Sequence, residues 1–185
     1  MTLSSLSPIP PLLMADIQYQ PAQEALKAIC LRTQDKAIAE ALIEKGSRQV
    51  TGKLIGELAG HFDRQTVEEL LIKATERSDL ASTALLHMGE AQTPSSRRFL
   101  TRALSGPNGA SAASALARYA STTEIDSVGQ LLLDPSTTPM GQTNALLTLK
   151  LSPHQQIART YLEQAAKQTS LNSRVRKKVQ QWLTK

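Results

Sequence analysis

Three histidines and one cysteine are the side chains of this 185-residue chain best suited to bind a metal ion or to attack an electrophile. His61, His87 and His154 lie far apart, and none has a second His or Cys at the short spacing that zinc sites use. Neither an HExxH nor a CxxC motif occurs. The spacing therefore predicts no metal centre and no cofactor, with the histidines in turns or on the surface.

Cys30 is the single cysteine, so it cannot form an intramolecular disulfide, which fits a reducing compartment. It follows Ile29 on an apolar stripe, and the sequence offers no convincing activating base beside it. We predict a buried, inert thiol rather than a nucleophile.

Two pairs of carboxylates could serve as acid and base, namely Glu68 with Glu69 and Glu124 with Asp126. The second pair follows a Ser-Thr-Thr stretch that is typical of a helix cap, where acidic residues interact favourably with the helix dipole. The glycines of "SGPNGASAASA" follow a predicted helix and lack the lysine of a phosphate-binding loop. The residues therefore favour a non-catalytic protein, and we assign no catalytic residue.

Clustered cations are the strongest functional signal, and they lie in the second half of the chain. Residues 1–93 hold nine Lys and Arg against twelve Asp and Glu, whereas residues 94–185 hold twelve against four. Such a field favours an acidic protein face, nucleic acid or anionic lipid. Aromatic residues make up 3% of the chain, which argues against stacking platforms for single-stranded nucleic acid. The predicted basic binding patch comprises Arg97, Arg98, Arg102, Arg118, Arg159, Arg176, Lys177 and Lys178.

The elements that carry these residues are predicted to be helices. Apolar residues recur at spacings of three and four, and no alternating Val, Ile or Thr run indicates a strand. We predict an all-α chain of about eleven helices, each of roughly ten to sixteen residues. Pro94 and Pro153 are predicted to be first helical residues behind Thr and Ser caps. Gly89 and Gly106 are predicted to end helices in the left-handed conformation.

The helices also recur in pairs. Residues 50–79, 80–109 and 110–139 align at a period of about thirty residues, and a fourth unit begins at Met140. Each unit reads as helix, tight turn, helix. Neither helix can bury its apolar stripe alone, so we expect the units to stack.

"ALLHMGEAQTPSSRRFLTRAL" (84–104) resembles a HEAT-like repeat of the short, roughly thirty-residue type. The resemblance extends over residues 21–185. It implies a right-handed α-solenoid of about five helical hairpins plus a C-terminal capping helix, with the second helices lining a concave face. Most units lack the Asp and the Val-Arg pair that the family often has. The matching residues are Ala84, Leu85, Met88, Gly89, Ala91, Leu100, Ala103 and Leu104.

The resemblance implies a non-catalytic scaffold that binds a protein or peptide, here an acidic one, on its basic concave face. One alternative is a nucleic-acid-binding protein that uses the basic C-terminal half, as in repair-type relatives of HEAT-like folds. A third is an accessory or lyase-like enzyme.

The final stretch "RVRKKVQQWLTK" (174–185) could be a basic amphipathic arm or the helix that closes the last repeat. We favour the closing helix, because its apolar stripe is narrow and its Val175-Arg176 pair matches the family pattern.

Residues 1–20 contain several prolines and are predicted to form an extended arm before a solenoid domain at 21–185. No apolar run is long enough to span a membrane, and the N-terminus lacks the basic start of a signal peptide. We predict a cytoplasmic location, or a periplasmic one if a signal peptide has been removed.

Overall fold

The computed structural model describes residues 19–184, and over that range the backbone forms eleven α-helices and no β-strand. The predicted all-α class is confirmed, and within the described residues the helices match the predicted number and length. The predicted N-terminal arm lies outside the described residues except for its last two positions, and the first helix begins at Gln20. The helices are α1 (Gln20–Thr33), α2 (Lys36–Lys45), α3 (Arg48–His61), α4 (Arg64–Thr75), α5 (Ala81–Ala91), α6 (Pro94–Ala103), α7 (Gly109–Tyr119), α8 (Thr122–Leu133), α9 (Pro139–Leu151), α10 (Gln155–Lys167) and α11 (Ser173–Leu183).

Short polar residues set where several helices begin. Asp35 Oδ1 accepts hydrogen bonds from the amides of Ala37 and Ile38, at 2.9 and 3.2 Å, and so caps α2. Thr93 and Ser96 form a reciprocal capping box at the start of α6. These contacts satisfy amide groups that the first helical turn leaves unpaired.

The prediction for Pro94 is confirmed, because it is the first residue of α6 behind Thr93. The prediction for Pro153 is wrong. Ser152 is the C-cap of α9 and not the N-cap of the next helix, and α10 begins at Gln155, so Pro153 lies in the connecting loop.

Gly89 and Gly106 were predicted to adopt the left-handed conformation, and both predictions are wrong because no described glycine has a positive φ. The left-handed residue after α5 is Gln92, with φ 51°. Gly89 instead lies inside α5, where a methyl group would come within 2.3 Å of Tyr119 Cδ2 on α7. Its small size is required by helix packing rather than by a turn.

Helix contacts follow two series. The odd-numbered helices contact one another in order, from α1 through α3, α5, α7 and α9 to α11. In the even-numbered series α2 contacts α4, and α8 contacts α10. The core between them is aliphatic and runs from Leu26 in α1 to Val179 in α11. Small side chains such as those of α7 allow the close approach that this arrangement needs.

Side chains from one helix pair also satisfy carbonyl groups of the preceding pair. Arg77 Nη1 donates to the carbonyl oxygens of Ile43 and Gly46 at 2.7 and 2.9 Å. Gln168 Nε2 donates to the carbonyl of Leu133 at 2.7 Å. These partners lie 31 to 35 residues apart in sequence, close to the predicted repeat period. They stabilise carbonyls that the last turn of a helix leaves without an intrahelical partner.

The terminal stretch forms α11, which packs against α9 and α10. Val175 and Val179 are fully buried there. Lys150 Nζ on α9 lies 4.1 Å from the ring centroid of Trp182. Through residue 184, the stretch is therefore a packed helix of the fold rather than a separate arm. No helix within residues 19–184 combines the length and apolarity needed to cross a bilayer.

Candidate binding groove between α6 and α8

A groove of about 460 Å³ separates α6 from α8. Helix α6 packs on α5 and α7, whereas α8 packs on α9 and α10, so the two helices face each other without close packing. Three of the predicted patch residues line the groove, and hydroxyl groups line much of the rest. The α6–α8 groove is formed by Pro94, Arg97, Arg98, Thr101, Arg102, Thr123, Glu124 and Ser127.

A second depression of about 340 Å³ continues the groove toward the start of α9. Thr101 and Arg102 line both, so the two are contiguous along α6. The far part is bordered by Asp134, Thr138 and Gly141. Together the two depressions border the chain from Pro94 to Ser105, which suits an extended chain better than a compact small molecule.

Arg97 is the one cation of the groove that already has a partner. It is half-buried, and its Nη1 donates to Glu124 Oε1 at 3.0 Å. Its Nε is buried without a hydrogen-bond partner. Within residues 19–184 the side chains of Arg98 and Arg102 have neither an ion pair nor a hydrogen bond, and both residues are exposed. They are four residues apart, so they project from the same face of α6.

Glu124 is the carboxylate that lines the α6–α8 groove, and each of its two oxygens already accepts a hydrogen bond. Its Oε2 accepts from the amide of Ser121 at 2.7 Å and completes the capping box of α8. Burial raises the pKa of Glu124, but hydrogen bonds from Ser121 and Arg97 outweigh that effect and leave the pKa below its ordinary value. Glu124 is therefore ionised at neutral pH and neutralises Arg97, which leaves the charges of Arg98 and Arg102 uncompensated.

The other acidic candidates contact separate partners. Asp126 accepts the Tyr161 hydroxyl at 2.6 Å, and that bond raises the Tyr161 pKa. Glu68 is buried and accepts the hydroxyl groups of Thr93 and Ser95. Glu69 bonds Lys36, so the two carboxylates of each predicted pair contact different partners.

The remaining predicted patch residues lie on other helices and do not line the α6–α8 groove. Arg118 is exposed in the last turn of α7, 5.9 Å from the ring centroid of Tyr119. Arg159 is exposed on α10 and bonds Glu163 at 3.0 Å. Arg176, Lys177 and Lys178 lie on α11. The structure thus brings Arg97, Arg98 and Arg102 together in the α6–α8 groove and places the other five predicted residues outside it.

The hydroxyl groups of the groove were not predicted from the sequence. Thr123 and Ser127 are four residues apart and so share one face of α8. Thr101 lies one turn from Arg97 and Arg98 on α6. The helical spacing of these residues was a usable signal, but Ser and Thr are too common near helix starts to be selected without the partner helix.

The histidines and the cysteine make separate local contacts. Cys30 is fully buried, and desolvation together with nearby Asp35 raises its pKa to about 12. His87 Nδ1 lies 3.0 Å from Glu90 Oε1, and His154 Nε2 donates to the carbonyl of Ala120 at 3.2 Å. In the part of the chain that the structure describes, no group of three or more His, Cys, Asp or Glu side chains could hold a metal ion.

Comparisons of the chain with models of known families, with curated proteins and with solved structures give no significant match. The class that the coordinates define is an all-α protein with an arginine-lined groove on its surface. The resemblance to HEAT-like repeats stays a prediction.

Proposed function

We propose that residues 20–184 form an α-solenoid of stacked helical hairpins, and that this solenoid is a non-catalytic protein-binding module. An acidic, extended segment of the partner occupies the α6–α8 groove. The observation that carries the proposal is the pair of uncompensated guanidinium groups, Arg98 and Arg102, on one wall of an elongated groove.

Two observations support the solenoid. The odd-numbered helices contact one another in chain order, as expected when each unit packs on its neighbours. Hydrogen bonds between units join residues about one repeat apart, such as Arg77 with Ile43 and Gln168 with Leu133. A single aliphatic core then extends through every unit, and α11 covers its last exposed side.

The groove suits carboxylates for reasons of charge and geometry. A guanidinium group donates two parallel hydrogen bonds to a carboxylate, and charge-assisted bonds of this kind are stronger than neutral ones. Glu124 cannot supply the missing charge to Arg98 and Arg102, because its oxygens already accept from Arg97 and Ser121. A partner carboxylate would supply it.

The scaffold also favours binding. Both walls of the groove are helices whose apolar sides are buried, including Leu100 of α6 and Val128 of α8. A preformed groove loses little conformational entropy when a ligand enters it. The lining residues include neither His nor Cys, and a binding role uses the arginines and hydroxyl groups that are present.

The test measures the binding of a fluorescein-labelled peptide of alternating glutamate and serine by fluorescence anisotropy. We expect the double variant Arg98→Glu/Arg102→Glu to raise the Kd at least about tenfold, since two ion pairs become repulsions. The matched control is Arg118→Glu/Lys167→Glu, which changes the net charge equally at exposed positions outside the groove.

The control should bind the peptide nearly as well as the unmodified protein does. Equal losses in both variants would show attraction by net charge alone, and no loss in the Arg98/Arg102 variant would overturn the proposal. Melting curves of each variant verify that the fold is intact.

A further inference from the structure

A second cationic surface lies on the outer side of α11, remote in sequence from the groove. Arg174, Lys177, Lys178 and Gln181 are exposed and lie at spacings of three and four residues, so they form one stripe along the helix. We call these four residues the α11 stripe. Val175 and Val179 on the other side of α11 are buried against the fold.

The charge of the stripe is not balanced locally. Within residues 19–184, Arg174, Arg176, Lys177 and Lys178 take part in no ion pair. Residues 139–184 contain a single acidic residue, Glu163, and it is bonded to Arg159. The neighbouring helices add more positive charge, through Lys150 on α9 and Lys167 on α10.

We infer that the α11 stripe binds the phosphate backbone of duplex nucleic acid. A duplex carries one negative charge per 1.7 Å or so of its axis, and side chains of Lys, Arg and Gln contact its phosphates directly. A rigid helix that carries cations one turn apart can reach successive phosphates without rearranging.

The duplex is favoured over a single strand. Proteins that hold single strands stack the bases on open aromatic rings. Trp182 is the aromatic residue of α11, and its half-buried ring is covered by the Lys150 ammonium group. The stripe therefore offers charge and hydrogen bonds without a stacking surface.

The composition of the exposed side of α11 favours nucleic acid over a membrane or an acidic protein as the partner. Amphipathic helices hold a membrane through an exposed apolar side, and here the buried valines already occupy that side. Protein interfaces usually have an apolar or aromatic centre, whereas interfaces with nucleic acid are more polar and cationic. The exposed residues of α11 are Ser173, Arg174, Lys177, Lys178, Gln180 and Gln181, all of them polar.

The experiment measures anisotropy of a fluorescent duplex of about 20 base pairs at salt concentrations from about 50 to 200 mM. With three cations neutralising phosphates, the affinity of the full chain should fall about 40-fold over that range. The triple variant Arg174→Gln/Lys177→Gln/Lys178→Gln should bind weakly at low salt and lose most of the salt dependence.

The matched control is Arg32→Gln/Lys45→Gln/Arg64→Gln, which removes three exposed cations of the N-terminal half that form no ion pair within residues 19–184. It should keep the duplex affinity and its salt slope. The Arg98→Glu/Arg102→Glu variant should keep them too, so the duplex site and the peptide site succeed or fail separately.

Three outcomes would overturn the inference. One is no binding of the duplex at about 50 mM salt. Another is equal loss in the α11 variant and its matched control. The last is tighter α11-dependent binding to a single strand of equal length, or to vesicles rich in phosphatidylserine, than to the duplex.

Discussion

Odd-numbered helices contact one another in both α1–α4 and α6–α11, but the two regions use their charges differently. In α1–α4, ion pairs join each helix to the next but one in the chain, including Lys27 with Glu57 and Lys53 with Glu24 between α1 and α3. Between α2 and α4, Lys36 bonds Glu69, and Lys73 bonds Glu40 and Glu44. The cations that join these helices are therefore satisfied within the fold.

The later helices are joined mainly by other contacts. Tyr161 donates to Asp126 between α10 and α8, and Gln168 donates to the carbonyl of Leu133. In residues 94–184 the cations with an ion pair are Arg97 and Arg159. Lysines of α1–α4 thus link neighbouring helices, whereas most cations of residues 94–184 form no ion pair with the described part of the chain.

Truncation before residue 174 should have the largest effect of the changes considered. Removing α11 uncovers the surface against which Val175 and Val179 are buried, which should cost about 3–6 kcal/mol of unfolding free energy. We expect a clear fall in Tm by circular dichroism. The triple variant Arg174→Gln/Lys177→Gln/Lys178→Gln keeps those contacts and should melt close to the unmodified protein.

This pair of variants tests whether stability and binding are separate properties of α11. An unchanged Tm after truncation would mean that α11 is an appended arm. A large fall in Tm for the charge variant would mean that the cations themselves hold the helix in place.

Substitution of Gly129 should have the next largest effect on stability, because Gly129 lies at a close contact between α8 and α10. A methyl group there would lie 2.2 Å from Tyr161 Cδ2 and 2.3 Å from Cγ. Both atoms belong to the rigid part of a ring, so Gly129→Ala should cost about 1–3 kcal/mol, measured by urea unfolding. Tyr161→Ala in the same chain should remove most of that cost.

The matched control is Gly52→Ala in α3, where no neighbouring atom lies within 4 Å of the added methyl group. Alanine is favoured over glycine inside a helix, so we expect a gain of about 0.5–1 kcal/mol. Similar effects at the two glycines would show that the close approach of α8 and α10 is not present in solution.

The sequence predicted the presence of the helices better than it predicted the residues at which they begin and end. Apolar spacing identified the helices because each one buries a single stripe, as Leu54 and Leu58 do in α3. Gly89 was misassigned to a helix end because a packing glycine and a turn glycine look alike in sequence. The difference depends on Tyr119, thirty residues later, which only the folded chain brings into contact.

The candidate groove could be predicted in part. Arg97, Arg98 and Arg102 were visible as a cluster, since residues close in sequence on one helix stay close in space. The opposite wall was not visible, because Thr123 and Ser127 reach the groove through the packing of α8 on α9 and α10. For the same reason Arg118, on α7, and Arg159, on α10, were grouped with a groove that they do not line.

Removing the ion pairs of α1–α4 should have the smallest effect on stability. That effect should be visible in how the stability depends on pH. Hydrogen bonds from Lys53, Lys73 and Lys36 lower the pKa values of Glu24, Glu44 and Glu69, respectively. Carboxyls whose pKa is lower in the folded chain stabilise it above their unfolded pKa, near 4.5, and lose that contribution as the pH falls through the folded value. Glu44 and Glu69 are exposed and Glu24 is partly exposed, so salt should screen the contribution.

The variant Glu24→Gln/Glu44→Gln/Glu69→Gln should therefore show a slightly smaller fall in Tm between pH 7 and pH 3 than the unmodified protein, and high salt should narrow the difference. Glu76→Gln, at an exposed residue without an ion pair in the described chain, should leave the fall unchanged. If the triple variant instead matches the unmodified protein at low salt, the lysines of α1–α4 contribute nothing to stability. The two halves would then differ only in how many acidic residues lie near their cations. Cations such as Lys36 would be as available to partners as those of α11.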